Sequence, residues 1–267
     1  MTLDRRAIRA AALEQMQTAT PRPLYEGLLY TLCSAALLFL AGQIFSSRLE
    51  LDDLYQYLSY FNAENINTIS YAQALKLAEK MQPTTTEYLF SMGLQLFQSF
   101  VSAGFSLFAL RSLRREETCS LWNLFDSFGV FLPLLLVLIL KRLLLTLWLQ
   151  LLIIPGLIAF YRYRLAVYLV LDHPSLGGFR AILLSSGLMR GHKGQLLLLD
   201  LSFAGWFFLS MLPYGLSVLT QSLPVQILGA LGSAALYAAL ATYHRLSCAI
   251  FYEQICRDVE QKFLKVE

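Results

Sequence analysis

The stretch Leu143–Leu171, LLLTLWLQLLIIPGLIAFYRYRLAVYLVL, restricts the possible folds more than any other part of the chain. It is too long and too apolar for a helix in water, and it is interrupted once, by Pro155-Gly156. Proline lacks an amide hydrogen and clashes with the preceding turn, so the pair predicts that one membrane span ends here and another begins. Beyond the break come Arg162 and Arg164. An arginine within lipid costs on the order of 3 kcal/mol by insertion scales, so these side chains must snorkel, pair or line a polar cavity.

The rest of the chain agrees with a membrane setting. Of 267 residues, 57% are hydrophobic and 15% charged, against roughly 25% charged in soluble domains. The expected class is an all-α polytopic membrane protein, one integral-membrane domain over residues 1–267. Apolar runs place about six transmembrane helices near 25–45, 88–110, 130–154, 157–171, 195–219 and 225–251. The fourth falls short of the roughly 20 residues a bilayer requires, which leaves a re-entrant hairpin around Pro155 as the rival arrangement. The first run follows a charged segment and precedes no small-residue cleavage site, so it is expected to stay as an anchor.

Between the spans lie polar segments with their own periodicity. Residues 1–22 predict an amphipathic helix on the membrane surface, with Leu3, Ile8, Ala12 and Met16 near one side and Arg5, Arg6 and Arg9 on the other. Residues 48–83 predict an extracytoplasmic loop holding two short helices, one near 51–60 and one after Ser70. Residues 175–191 predict a second surface helix, with Phe179, Ile182, Leu183 and Met189 on one face and Gly191 as its stop. Residues 253–267 form a charged tail. The segments read as inner carry fourteen Lys and Arg, at Arg5, Arg6, Arg9 and Arg22, at 111–115, at 180–193 and from Arg245 onward. The outer loop carries three, Arg48, Lys76 and Lys80. Positive residues favour the cytoplasmic side, so both termini are expected inside.

Several polar groups fall within the apolar runs. Ser91, Gln95, Gln98 and Ser102 recur on one face of the second span. They form either the wall of a hydrophilic pathway or a row of interhelical hydrogen bonds. Arg162 and Arg164 are about 200° apart around a helix, so they cannot share a face. Arg164 shares its face with Tyr161 and Tyr168 and is the better candidate for the interior. Asp200 lies at nearly the same depth and should find a cation, with Arg164 preferred over Arg162. His244, with Arg245 beside it, marks the sixth span, on a stripe with Tyr237, Ala241 and Cys248. His244 and Asp200 supply only two plausible ligands, so no metal site is expected. Lys141-Arg142 falls near the middle of the third span, which either packs around a wet cavity or begins later, near Leu143. The four cysteines, Cys33, Cys119, Cys248 and Cys256, show no paired metal-like spacing, and none falls in the loop expected outside, so no disulfide is expected. No phosphate-cradling glycine loop, HExxH or nucleophile elbow occurs, so no catalytic residue or cofactor is assigned. The net charge of +3 gives no case for nucleic acid.

Three islands in the second half carry a family likeness: IIPG at Ile153–Gly156, an A-x-x-x-S element at Ala181 and Ser185 continuing to MRGHK at Met189–Lys193, and LDLSFAGW at Leu199–Trp206. Together they resemble the bacterial integral-membrane family known as domain of unknown function 975. A looser likeness extends to the membrane domain fused to some glycerophosphodiester phosphodiesterases, which shares the Pro-Gly turn, an arginine seven residues beyond the proline (here Arg162) and the A-x-x-x-S helix. The resemblance implies a six-span protein of the bacterial cytoplasmic membrane without an assigned activity. The functional expectation is a non-enzymatic protein that binds anionic lipid head groups or a partner protein, homo-oligomers included. The alternatives are a small transporter or exporter walled by the second span and gated at the Pro155-Gly156 break, since discontinuous helices often mark substrate sites, and a membrane enzyme of lipid metabolism.

Overall fold

The computed structural model describes residues 4–20, 22–45, 84–116, 120, 122–220 and 222–264, and every described element is helical. The loop expected over 48–83, with its two short helices, and Cys119 lie outside the described residues. The chain divides into two compact units, residues 33–98 and residues 1–32 with 99–267, whose boundaries fall within α2 and α3. In chain order the helices are α1 (Arg5–Thr18), α2 (Pro23–Phe45), α3 (Thr85–Arg114), α4 (Asn123–Asp126), α5 (Phe131–Leu151), α6 (Ile153–Arg162), α7 (Ala166–Asp172), α8 (Gly178–Leu188), α9 (Lys193–Ser210), α10 (Leu212–Val218) and α11 (Leu223–Leu264). Among the described residues, six helical stretches are long and apolar enough to cross a membrane: 23–42, 85–114, 123–151, 153–172, 193–218 and 223–259. These match the six runs read from the sequence. Leu, Ile and Phe side chains along them remain exposed, Ile153 and Phe208 at 79% and 71% among them, as expected where lipid is the solvent.

The chain turns at Leu152 rather than at Pro155-Gly156. Leu152 is extended, with φ −164° and ψ 149°, and α6 starts at the next residue. Pro155 therefore sits in the first turn of α6, where helical amides have no intrahelical partner and its missing hydrogen costs nothing. Gly156 has a different task. A Cβ there would run into the Leu149 side chain and come within 3.1 Å of its Cα, so glycine lets α6 fold back tightly along α5.

The fourth span is also broken within itself. α6 ends at Arg162, a turn covers Tyr163–Leu165, and α7 resumes at Ala166. The fifth is interrupted at Met211, before Pro213 in the first turn of α10, and the Ser233 hydroxyl accepts from the Tyr214 amide at 2.9 Å. The sixth is longer than expected, because α11 runs on through 42 residues into the charged segment.

Helix α1 packs within the larger unit, against α11. Ile8 and Ala12 are buried, and the Gln15 amide donates to the Ser112 carbonyl at the end of α3. Helix α8 also divides its apolar residues otherwise than the sequence suggests. Ala181, Ile182 and Ser185 face inward while Phe179 and Leu183 face out. The inward face is small because Gly178 meets the α5 backbone, where a Cβ would come 3.0 Å from the Val137 nitrogen. Met189 is buried beyond the helix end, and Gly191, at φ 83°, supplies the left-handed turn that leads into α9.

Candidate functional site

The larger unit holds a cluster of charged and polar side chains drawn from α6, α7, α9 and α11. Asp200, on α9, is its centre. Its Oδ1 lies 2.8 Å from His244 Nε2 on α11, and its Oδ2 lies 3.5 Å from Arg164 Nη1 in the turn between α6 and α7. The Tyr161 hydroxyl also faces Asp200. Cys248, one helical turn beyond His244, places its sulfur 3.7 Å from the same Nε2 and 3.9 Å from Arg164 Nη2. The imidazole is held edge-on by Phe203 and Phe207, with ring centroids 5.1 and 5.9 Å away.

The other residues singled out in the sequence lie in separate contacts. Arg162 donates through Nε to the Ser186 hydroxyl at 2.5 Å, and its carbonyl, freed where α6 ends, accepts from Ser185 at 2.9 Å. The A-x-x-x-S element thus closes the helix end at the arginine seven residues past the proline. Arg245 donates to Ser102 at 2.5 Å and Ser106 at 3.0 Å on α3, with its guanidinium over the Phe105 ring. Lys141 and Arg164 both approach the Phe160 ring, at 5.8 and 5.3 Å from its centroid. Arg142 is exposed. Within residues 33–98, Gln98 donates to Ser34 at 2.7 Å, and Ser91 bonds back to the Tyr88 carbonyl of its own helix. Gln95, on the same face as Ser91 and Gln98, is exposed. Most of this stripe is occupied in hydrogen bonds within and between helices, each worth roughly 0.6 kcal/mol in a membrane.

A second charged layer joins the ends of three helices and was not foreseen from the sequence. Arg114, at the end of α3, reaches Asp172 at the end of α7 through two bonds of 2.6 and 2.9 Å, and Glu253 on α11 at 2.6 Å. The Tyr252 hydroxyl donates to Asp172 at 2.9 Å. Arg111 pairs with Asp126 at 2.5 Å. The available signal was topological: Arg114, Asp172 and Glu253 close the second, fourth and sixth runs, which an even count of spans brings to one side. Glu26 gave no such signal. It is fully buried in the first turn of α2, and neither carboxylate oxygen has a hydrogen-bond partner.

A recess of about 270 Å³ opens beside α1, lined by Asp4, Arg5, Arg6, Arg9 and Ser202. Asp4 is the N-cap of α1, its carboxylate accepting from the Arg6 amide at 2.9 Å. Arg9 is fixed between the Tyr243 hydroxyl, 3.4 Å from its Nε, and the Phe203 ring. Three guanidinium groups against one carboxylate give the recess a net positive charge.

The cluster does not form a Cys-His-Asp relay. A relay needs the acid on one imidazole nitrogen and the nucleophile on the other, whereas Asp200 and Cys248 both approach Nε2.

Among the described residues, six helices long and apolar enough to cross a membrane, with buried charges that join them, mark a polytopic α-helical membrane protein. Residues 149–258 match the family model described as "Protein of unknown function (DUF975)". This is the family the three islands resemble, and the matched segment contains all three. None of the curated proteins or solved structures compared matches the chain.

Proposed function

We propose that this is a non-enzymatic protein of the bacterial cytoplasmic membrane that binds anionic lipid head groups, with both termini in the cytoplasm. The observation that carries the reading is the recess lined by Arg5, Arg6, Arg9 and Ser202. Guanidinium groups match phosphate oxygens in charge and in geometry, and a serine hydroxyl adds a neutral donor. Burial of Ile8 and Ala12 fixes which face of α1 is turned outward, so the arginines are positioned before a lipid arrives. Basic side chains on an amphipathic helix at an interface draw anionic lipid, at about 1 kcal/mol per residue near the surface. The transporter or exporter reading takes the polar stripe of the second span as its wall and the Pro155-Gly156 break as its gate, and Ser102 and Gln98 of that stripe are engaged by Arg245 and Ser34.

The test is lipid retention. The protein and an Arg5→Gln/Arg6→Gln variant, which leaves Arg9 and its docking contacts in place, are purified in mild detergent and analysed by native mass spectrometry. The parent should retain phosphatidylglycerol or cardiolipin in preference to phosphatidylethanolamine, and the variant should lose that preference at unchanged thermal stability. Equal retention of acidic and zwitterionic lipid by both proteins would overturn the reading.

A further inference from the structure

Beside its role in joining helices, the Asp200 cluster has the composition of a metal site. We propose that Asp200, His244 and Cys248 bind a divalent, sulfur-tolerant transition metal ion of the zinc class. A carboxylate oxygen, an imidazole nitrogen and a sulfur all lie within 4.8 Å of one another. Around a tetrahedral zinc, with bonds of about 2.0 to 2.3 Å, ligand atoms stand roughly 3.3 to 3.7 Å apart. The His244–Cys248 separation of 3.7 Å already meets that requirement. The His244–Asp200 separation of 2.8 Å needs to open by about half an ångström.

The convergence on one nitrogen is the strongest argument. Nε2 of a neutral imidazole has either one proton or one lone pair, so Asp200 and Cys248 have to share it, the sulfur as the weaker partner at 3.7 Å. A central cation can be shared by all three groups. His244 and Cys248 are four residues apart on α11 and so share a face, and Asp200 meets them from α9, which packs alongside.

The surroundings supply the outer support that such sites use. Phe203 and Phe207 fix the imidazole plane. Arg164 approaches Asp200 through Oδ2, the oxygen turned away from His244, and reaches the sulfur only at 3.9 Å, leaving Oδ1, Nε2 and Sγ for the ion. Tyr168, buried and stacked on Tyr252, lies near Cys248 and walls the cluster on the α7 side. On binding, the Cys248 thiol releases its proton to solvent as the metal–sulfur bond forms. Phe203 touches both His244 and Arg9, but none of the three proposed ligands lines the arginine recess, and the tests alter different residues, so this inference and the lipid reading can fail separately.

Cobalt is the probe, because tetrahedral Co2+ is coloured and a thiolate ligand adds a near-ultraviolet charge-transfer band. Titrated into the purified, metal-stripped protein in detergent, Co2+ should bind at one equivalent, show that band, and be displaced by Zn2+. Cys248→Ser should abolish the band, and Asp200→Asn should weaken binding at least tenfold. A variant with Cys33, Cys119 and Cys256 replaced by serine should keep the full signal, which separates a site from adventitious thiols. Absence of stoichiometric binding by the parent protein, or a charge-transfer band that survives Cys248→Ser, would overturn the proposal.

Discussion

Arg114 holds Asp172 by two parallel hydrogen bonds of 2.6 and 2.9 Å, and this pair fixes the end of α3 against the end of α7. Glu253 takes the remaining edge of the same guanidinium from α11. Paired, charge-assisted bonds of this geometry are stronger than single ones, and Asp172 is sheltered from solvent. Arg114→Gln should therefore lower stability by about 2 kcal/mol, and Arg114→Lys should recover only part because lysine cannot grip both carboxylates with a planar fork. Thermal unfolding in detergent checks this, and full rescue by lysine would count against the bidentate geometry.

Asp200 should be coupled more strongly to His244, at 2.8 Å, than to Arg164, at 3.5 Å. Stranding one member of a buried pair costs about 3 to 5 kcal/mol, more than removing both. Double-mutant cycles with Asp200→Asn, His244→Gln and Arg164→Gln should thus give positive coupling for both pairs, the larger for His244. Arg162→Gln should be additive with Asp200→Asn, because Arg162 is engaged by Ser186. Coupling between Arg162 and Asp200 would contradict the arrangement described.

Gly104 separates glycines that are needed from those that are incidental. A Cβ at 104 would collide with the backbone carbonyl of Leu124, a group that cannot swing aside, whereas one at Gly187 meets nothing within 4 Å. Gly104→Ala should cost 3 kcal/mol or more, at the upper end of roughly 1 to 3 kcal/mol for overpacked cores, or prevent folding. Gly187→Ala should fold normally with stability equal or slightly higher, since alanine favours a helix by about 1 kcal/mol. Comparable folded yields of the two variants would show that α3 and α4 do not approach so closely.

Glu26 is fully buried with neither oxygen hydrogen-bonded, so it should oppose folding rather than support it. Glu26→Met should raise the Tm by a few degrees. A fall of similar size would mean that the carboxyl has a partner in the membrane.

The apolar runs were legible in the sequence because lipid demands lengths and compositions that no soluble helix needs. The preference for Arg164 over Arg162 followed from helical angle and depth, and the geometry places Arg164 beside Asp200. Cys248 was visible as part of a stripe with His244, but its approach to Asp200 depends on the packing of α9 against α11, which periodicity does not encode. The turn at Leu152 escaped notice for a physical reason. Proline announces where a helix cannot continue, yet it is equally at home in the first turn of the next helix, so the break lies just before it. The clamp at Arg114 required the order of helices around the bundle, which local patterns do not carry.

Orientation rests on the fourteen and three basic residues of the inner and outer segments. Single cysteines at Asn65 and Ser175, in a cysteine-free background, should behave oppositely toward an impermeant thiol reagent in intact cells, with position 65 labelled and 175 protected. The reverse pattern would place the recess on the other side of the membrane.

The most direct measurement of head-group binding is magic-angle-spinning NMR of nitrogen-labelled arginine in phosphatidylglycerol bilayers, read as nitrogen–phosphorus dipolar dephasing. The recess predicts guanidinium signals dephased by a phosphorus within direct hydrogen-bonding distance, and loss of that dephasing in the Arg5→Gln/Arg6→Gln variant. Dephasing that is absent, or that is unchanged when Arg5 and Arg6 are removed, would contradict binding at this site.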